Sequence, residues 1–571
     1  MHDLVIRNCT IVDGTGRPRF SGDIAVDGDK IGSVGATAGA GRREINAAGL
    51  IAAPGWVDIH SHYDGQVAWD PYVSPSSWHG VTTVIMGNCG VGFAPVRRGA
   101  EQFLIGLMEA VEDIPAATLN AGIDFQWETF GEYLDSLSRM KRAIDIGAQV
   151  PHCALRVYVM GERGAGNEPA TADELARLRA VVRDSVRAGA LGASTSRTRV
   201  HRTPEGELVP GTLAGIDEVM AIGRGLGDAG RGVFEVISDM TGVDRSMEWM
   251  QELTRETGLP LSLAALGNGP TGPGVRRLFD FIKGCNGRGA HLVSQIAVRS
   301  PGQLNGLEAS TNPLLNLPSY KPIADLPLEQ RVARMRDPQL RAQIIAEMPD
   351  KPSNAFDVPT DGYAGLFVLG DPPNYEPGAE LSLAAIAQRQ GRPPHEVYYD
   401  ALLERGGREL IYQPFNYTRS YSLDPLLDLL MHPVSVISLS DGGAHCAQIC
   451  DAGAPTYLIS HWVRDRGRNG RLQLEAAVRR QTRDNALLYG LDDRGALLEG
   501  LKADINLIDF DRLNLRAPEI VCDFPAGGKR FVQRAEGYKY TIVSGQIVFE
   551  DGQATGAMPG RVVRGASAKP S

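Results

Sequence analysis

The chain has 571 residues, of which 43 % are hydrophobic and 22 % charged, and a formal net charge of −10. That length exceeds one small domain and suits a barrel of ~250 residues or more with an appended part. The acidic balance argues against nucleic acid or an anionic membrane as partner, since both require a basic face.

Taken in chain order, residues 3–51 read as short strands with turns: Leu4–Ile6, Thr10–Val12, Asp23–Val26 and Ile31–Val34, punctuated by Asp-Gly and Gly-rich pairs. The apolar run Gly49–Ile59, with its Pro54-Gly55 break, then reads as a buried strand ending in His60-Ser61-His62. Further strands are expected at Val81–Met86, Asp145–Val150, Ala190–Thr195, Gly232–Ile237, Leu261–Ala265, His291–Ile296 and Val434–Leu439. Helical patterns separate them, one opening with the Thr171–Glu174 capping box. Repeated β–α units predict an α/β chain whose parallel sheet closes as a (β/α)8 TIM barrel over about residues 54–500. A Pro- and charge-rich excursion, about 305–430, interrupts the alternation as a lid, a substrate wall or a plain helical extension. Ala503–Asp509 and the Tyr540–Phe549 pair about Ser544-Gly545 return to strand character. Residues 1–53 and 501–571 are therefore expected to build one small β-sandwich domain from both termini. Seven scattered cysteines show no disulfide framework, and the N-terminus has no basic, apolar leader. With no run of ~18 apolar residues either, the cytoplasm is the expected compartment. A homo-oligomer is left open.

Catalytic groups of such a barrel sit at the C-terminal ends of strands. Residues two apart on a strand share a face, so His60 and His62 project together and can hold one divalent ion. Cys89 follows the second strand in Gly87-Asn88-Cys89-Gly90, and Asp441 follows the last in Ser440-Asp441-Gly442. Taken alone, Cys89 also reads as a small buried hydrophobe and Asp441 as a turn residue.

The runs Pro54–His62, Gly80–Val84 with Gly87–Gly90, Gly189–Thr195 and Leu439–Gly442 resemble the D-aminoacylase branch of the amidohydrolase superfamily, the N-acyl-D-amino-acid deacylases. The resemblance covers nearly the whole chain. It implies a metal-dependent hydrolase of a C–N amide bond in a small N-acyl amino acid or a related, cyclic amide. It also implies zinc, with His60, His62, Cys89 and Asp441 as ligands. Cys89 takes the bridging place that a carboxylated lysine holds in most relatives, and Asp441 serves as general base. The branch normally carries one histidine at the end of the fifth strand and another at the end of the sixth, which with the cysteine hold the tight zinc. Here Val233–Met240 and Leu261–Asn268 contain none, so one ion is expected and a second site lacks its ligands.

His152, which matches a family histidine, and His445, four residues past Asp441, are expected to face substrate. Arg197 and Arg199 offer planar forks for a substrate carboxylate, or else form a solvated basic loop. Two further readings stay open: a hydrolase of ester, lactone or C–C bonds on the same barrel, and a non-catalytic amidohydrolase-like protein.

Overall fold

The computed structural model describes residues 1–239, 247–265, 273–352, 361–415, 417 and 420–565. Its N-terminal strands are β1 (His2–Ile11), β2 (Phe20–Asp27), β3 (Lys30–Gly35), β4 (Gly41–Asn46) and β5 (Ile51–Pro54). They join Ile505–Ile508, Tyr538–Val543, Gln546–Glu550 and Gln553–Ala554 in one nine-stranded sheet. The two short runs expected at 4–6 and 10–12 are a single strand. A register shift between Ile6 and Cys9, where Asn8 takes φ 59°, carries it past the extra residues. The Ser544-Gly545 turn forms with φ 48° and 75°, the left-handed pair that a tight hairpin needs. Residues from both termini, among them Ile6, Ile24, Ile505, Leu507 and Ile542, share this sheet's core.

The expected strand over 49–59 divides at its Pro54-Gly55 break. β5 stays in the terminal sheet, while β6 (Trp56–Asp58) opens the barrel. A Cβ at Gly55 would lie 2.2 Å from Thr82 Oγ1, so only glycine lets the chain pass between the two sheets here. The wall continues with β7 (Val81–Met86), β8 (Asp145–Ala148), β9 (Val150–Pro151), β10 (Gly192–Arg197), β11 (Val233–Ser238), β12 (Leu261–Ala265) and β13 (Leu292–Ile296). The 145–150 strand breaks at Gln149, whose N–H reaches back to Met86 O at 2.9 Å while Leu191 N bonds Ala148 O at 2.9 Å. One strand position is thereby shared by two short pieces, β8 and β9.

The excursion expected from about residue 305 has its own sheet, in the order β14 (Gly302–Asn305), β16 (Ile411–Pro414), β15 (Phe367–Val368). It also has its own core, including Tyr320, Met335, Tyr398, Tyr399 and Ile411. Its Glu376 accepts from His461 Nε2 at 2.7 Å and Arg466 NH2 at 2.9 Å, which ties it to the helices after the last strand. That strand, β17 (Ser435–Ile437), pairs in parallel with β13 and closes the eight-membered wall against β6. A parallel bridge joins Ser61 to Gly442, with His62 N donating to Gly442 O at 2.8 Å and Asp441 N to His60 O at 3.2 Å. Below that bridge Asn485 Nδ2 spans the same seam, donating to Val57 O at 2.9 Å and Ile437 O at 2.8 Å. The fold is thus a (β/α)8 barrel with a separate sheet domain from the termini. The Thr171–Glu174 box caps the helix Ala172–Ala188. Among the described residues no helix is long and apolar enough to cross a membrane.

A buried charge cluster joins barrel to terminal domain. Asp145, 1 % exposed, takes Arg494 NH1 at 2.6 Å, Lys502 Nζ at 3.1 Å and the Arg561 N–H at 2.8 Å. Removing the carboxylate leaves two buried cations under-compensated. Asp145→Ala is therefore expected to cost about 3–5 kcal/mol, seen as a lower urea midpoint. An unchanged midpoint would contradict this account of the junction.

Candidate metal centre

The seam places the side chains. His60 and His62 are 1 % and 3 % exposed, with ring centroids 5.3 Å apart, and both project into the barrel mouth. Cys89 comes from the second strand's loop and is 3 % exposed, with Sγ 3.3 Å from His60 Nε2. One ligand atom from each of these three residues lies within 4.8 Å of the others. Asp441 arrives from beyond β17, its Oδ1 3.4 Å from His60 Nε2 and 3.9 Å from His62 Nε2, and keeps 20 % of its side-chain exposure. The structure thus brings together all four residues singled out as ligands.

Two of the four, Cys89 and Asp441, are held by backbone geometry that few sequences accept. Gly87, Cys89 and Gly90 have φ of 80°, 55° and 74°, so the loop turns sharply under the thiol. Asn88 Nδ2 donates to Ser61 O at 3.0 Å and Ile85 O at 2.9 Å, and its Oδ1 accepts from Gln149 Nε2 at 2.8 Å. The Cys89 N–H donates to Glu235 Oε2 at 2.9 Å, and the Gly90 N–H to Ser194 Oγ at 2.9 Å. On the last loop Leu439, Asp441 and His445 also take positive φ, of 60°, 46° and 45°. Ser440 Oγ bonds Asp58, whose other oxygen accepts the His60 N–H at 3.1 Å.

The rings are oriented from behind. His60 Nδ1 donates to Gln295 Oε1 at 2.7 Å, and Gln295 Nε2 donates to Ser262 Oγ at 2.9 Å. With the amide so fixed, the His60 proton sits on Nδ1 and the Nε2 lone pair faces Cys89 and Asp441. His62 Nδ1 lies 3.0 Å from Glu112 Oε1. Gln295 and Glu112 were not legible as site residues. Gln295 left one signal, a buried-strand amide beside Ser294 in β13; Glu112 left none, since it ends a helix outside the wall.

The charge setting fits a cation. Burial, with His62 beside it, pushes His60 down to about 3. Burial also opposes charge on His62, but Glu112, Asp441 and Asp64 outweigh it and raise that ring to about 9. Burial pushes Asp441 up to about 7 and Glu235 up to about 8, and drives the Cys89 thiol upward with Glu235 and Asp441 adding to the rise. Two imidazoles, a thiol and a carboxylate in this crowd of buried acids form a donor set that fits a divalent metal ion.

The residues expected to meet substrate are placed less uniformly. His152 has both ring nitrogens engaged, Nδ1 with Thr195 Oγ1 and Nε2 with Glu218 Oε1, each at 2.8 Å. Glu218 also holds Arg156, so His152 belongs to a buried support network and presents no free nitrogen to a ligand. Arg197 is part-buried and donates to Ala214 O at 3.0 Å. Arg199 is exposed, its backbone N–H fixed by Asp239 Oδ2 at 2.8 Å. His445, and His201 on the fourth-strand loop, lie close enough to Glu112 to feel its charge. On the fifth strand the buried acid is Glu235, which supports the Cys89 loop; Met240 and residues 266–268 lie outside the described residues.

A family model described as the amidohydrolase family matches residues 43–549, and the chain belongs to that family. It is 37 % identical over 195 residues to the N-acyl-D-aspartate deacylase of Alcaligenes xylosoxydans xylosoxydans. That match takes in 34 % of this chain and spans 36 % of the relative's own length. A solved D-aminoacylase structure superposes with a TM-score of 0.64 at 23 % identity, covering 99 % of this chain and 100 % of that one. N-acyl-D-glutamate deacylase from Bordetella bronchiseptica, solved with zinc and a phosphonate mimic of the tetrahedral intermediate, gives 0.64 at 22 % identity over 99 % of both chains. At those identities the two structures establish a shared fold.

The loop geometry makes a direct test. At Gly87 a Cβ would lie 2.4 Å from Gln149 O, a backbone atom that cannot swing aside. Gly87→Ala is expected to lower stability by about 1–3 kcal/mol and to loosen the Cys89 loop. Denaturation and a zinc titration on the same preparation check both effects, and a variant equal to the parent in both would refute the argument.

Proposed function

We propose that this chain is a metal-dependent amidohydrolase that cleaves the C–N amide bond of a small N-acyl amino acid, with one zinc ion held by His60, His62, Cys89 and Asp441. The observation that carries the reading is the clustering of His60, His62 and Cys89 donor atoms within 4.8 Å, with Asp441 at 3.4 Å on the more open side. The names of the relatives, deacylases of N-acyl-D-aspartate and N-acyl-D-glutamate, support the substrate class. A zinc ion in such a site polarises a carbonyl and lowers the pKa of water.

The protein's own groups supply the rest. Gln295 and Glu112 hold the two imidazoles with their Nε2 atoms inward. Asp441, carried on a left-handed turn, takes the proton from the attacking water and returns it to the departing nitrogen, so that the amine leaves neutral. Arg199, exposed two residues past the fourth strand, offers its guanidinium to the substrate carboxylate. His152 acts from behind, keeping Thr195 and Glu218 in place.

The histidine-free fifth strand favours a second reading, hydrolysis of an ester or lactone by the same groups. Turnover of an ester series with none on amides would select it.

The purified parent is expected to hold about one zinc per chain, lost in His60→Ala and in Cys89→Ala. Asp441→Asn is expected to keep the ion while losing about 10²–10⁴ in turnover of an N-acyl amino acid. Elemental mass spectrometry and a ninhydrin assay of released amino acid read the two outcomes. Full turnover by Asp441→Asn would overturn the assignment of the base.

A further inference from the structure

Glu112 is the last residue of the helix Glu101–Glu112, outside the barrel wall. A negative charge at a helix C-terminus opposes the helix dipole, and at 1 % exposure burial works against it as well. The structure nevertheless fixes the helix end that carries this carboxylate. Asp113 stops the helix in a left-handed conformation, with φ 55°. From the last barrel loop, Cys446 N donates to Glu112 O at 3.0 Å and Ala447 N to Asp113 Oδ2 at 3.2 Å. The result is an ion-pair contact, Oε1 at 3.0 Å from His62 Nδ1; among the described residues neither Nδ1 nor Oε2 makes a hydrogen bond.

The partner imidazole is backed differently. His60 Nδ1 meets a neutral amide, Gln295, itself oriented by Ser262 and Ser438. One pair of histidines thus has a carboxylate behind one ring and an amide behind the other. A carboxylate behind a ligating imidazole fixes the proton on Nδ1 and strengthens the donor at Nε2.

We propose that Glu112 is a positioning residue of the metal centre. It makes His62 the stronger of the two imidazole donors and, through Cys446 and Ala447, keys that ring to the loop that carries Asp441. The inference rests on the reading of His60, His62 and Cys89 as a metal site.

Zinc affinity, measured by chelator competition on the full chain, tests it in three proteins: the parent, Glu112→Gln and Glu112→Ala. Glutamine keeps the shape and an acceptor oxygen but not the charge, so affinity is expected to fall about tenfold there and about 100-fold in the alanine variant. In the cobalt-loaded proteins the Cys89 thiolate-to-metal band is expected to persist while the ligand-field bands shift. A merely structural Glu112 would lower the melting temperature and leave affinity and ligand-field bands as in the parent, which overturns the proposal. Should the alanine variant not fold, the glutamine variant decides alone. A parent that binds zinc stoichiometrically, with variants that match it, removes only the role of Glu112. A parent without zinc removes the site reading itself and this inference with it.

Discussion

The chemistry of this molecule hangs on the seam where the first and last barrel strands meet. A strand pair alternates its side chains, so once Ser61 bridges Gly442 the neighbours on both chains are committed. His60 and His62 face the mouth from one side and Asp441 leans in from the other. The seam is not left to those few bonds. Asn485 spans it from below by donating to carbonyls of both strands, and Gln481 adds a contact to Val57 O at 3.3 Å. A slip of one residue would turn the imidazoles into the wall, so the polar clamp under the seam protects the site's geometry as much as the fold.

Charge follows the same division of labour. At the mouth the acids outnumber the bases, and burial raises Asp441, Glu235 and Asp64 together. At the junction with the terminal domain the balance is struck within the protein itself: Arg494 and Lys502 converge on Asp145, and Burial is offset by full pairing. One buried acidic group is thus neutralised by the chain, while another group of acids is arranged for a cation that binds from outside.

Much of this was legible in the sequence. Apolar runs marked the barrel strands, because strands buried on both faces read as continuous hydrophobic segments. The residues proposed as ligands stood out because His-x-His and Asn-Cys-Gly each follow such a run. What the sequence hid lies in the third dimension. The Pro54-Gly55 break and a domain boundary at 53/54 were readable, but their cause was not, since the break is set by the approach of Thr82 from a neighbouring strand. His152 looked free because its partners, Thr195 and Glu218, are 43 and 66 residues away in the chain. Glu112 sat in an ordinary amphipathic helix, and only the packing of that helix end against Cys446 and Ala447 reveals its destination.

The division at Gly55 has a consequence for how the protein is made. The Gly55 N–H bonds Asp504 O at 2.9 Å, and β5 finds its neighbour in Ile505–Ile508, some 450 residues later. His60 lies five residues beyond that glycine. During synthesis the first barrel strand therefore emerges long before its anchor exists, and its other flank waits for Asp441 and Gly442. The candidate metal centre can be completed only once Asp441 and the 505–508 strand have been made, so a ribosome-bound fragment lacking them carries the proposed ligands without the frame that aims them.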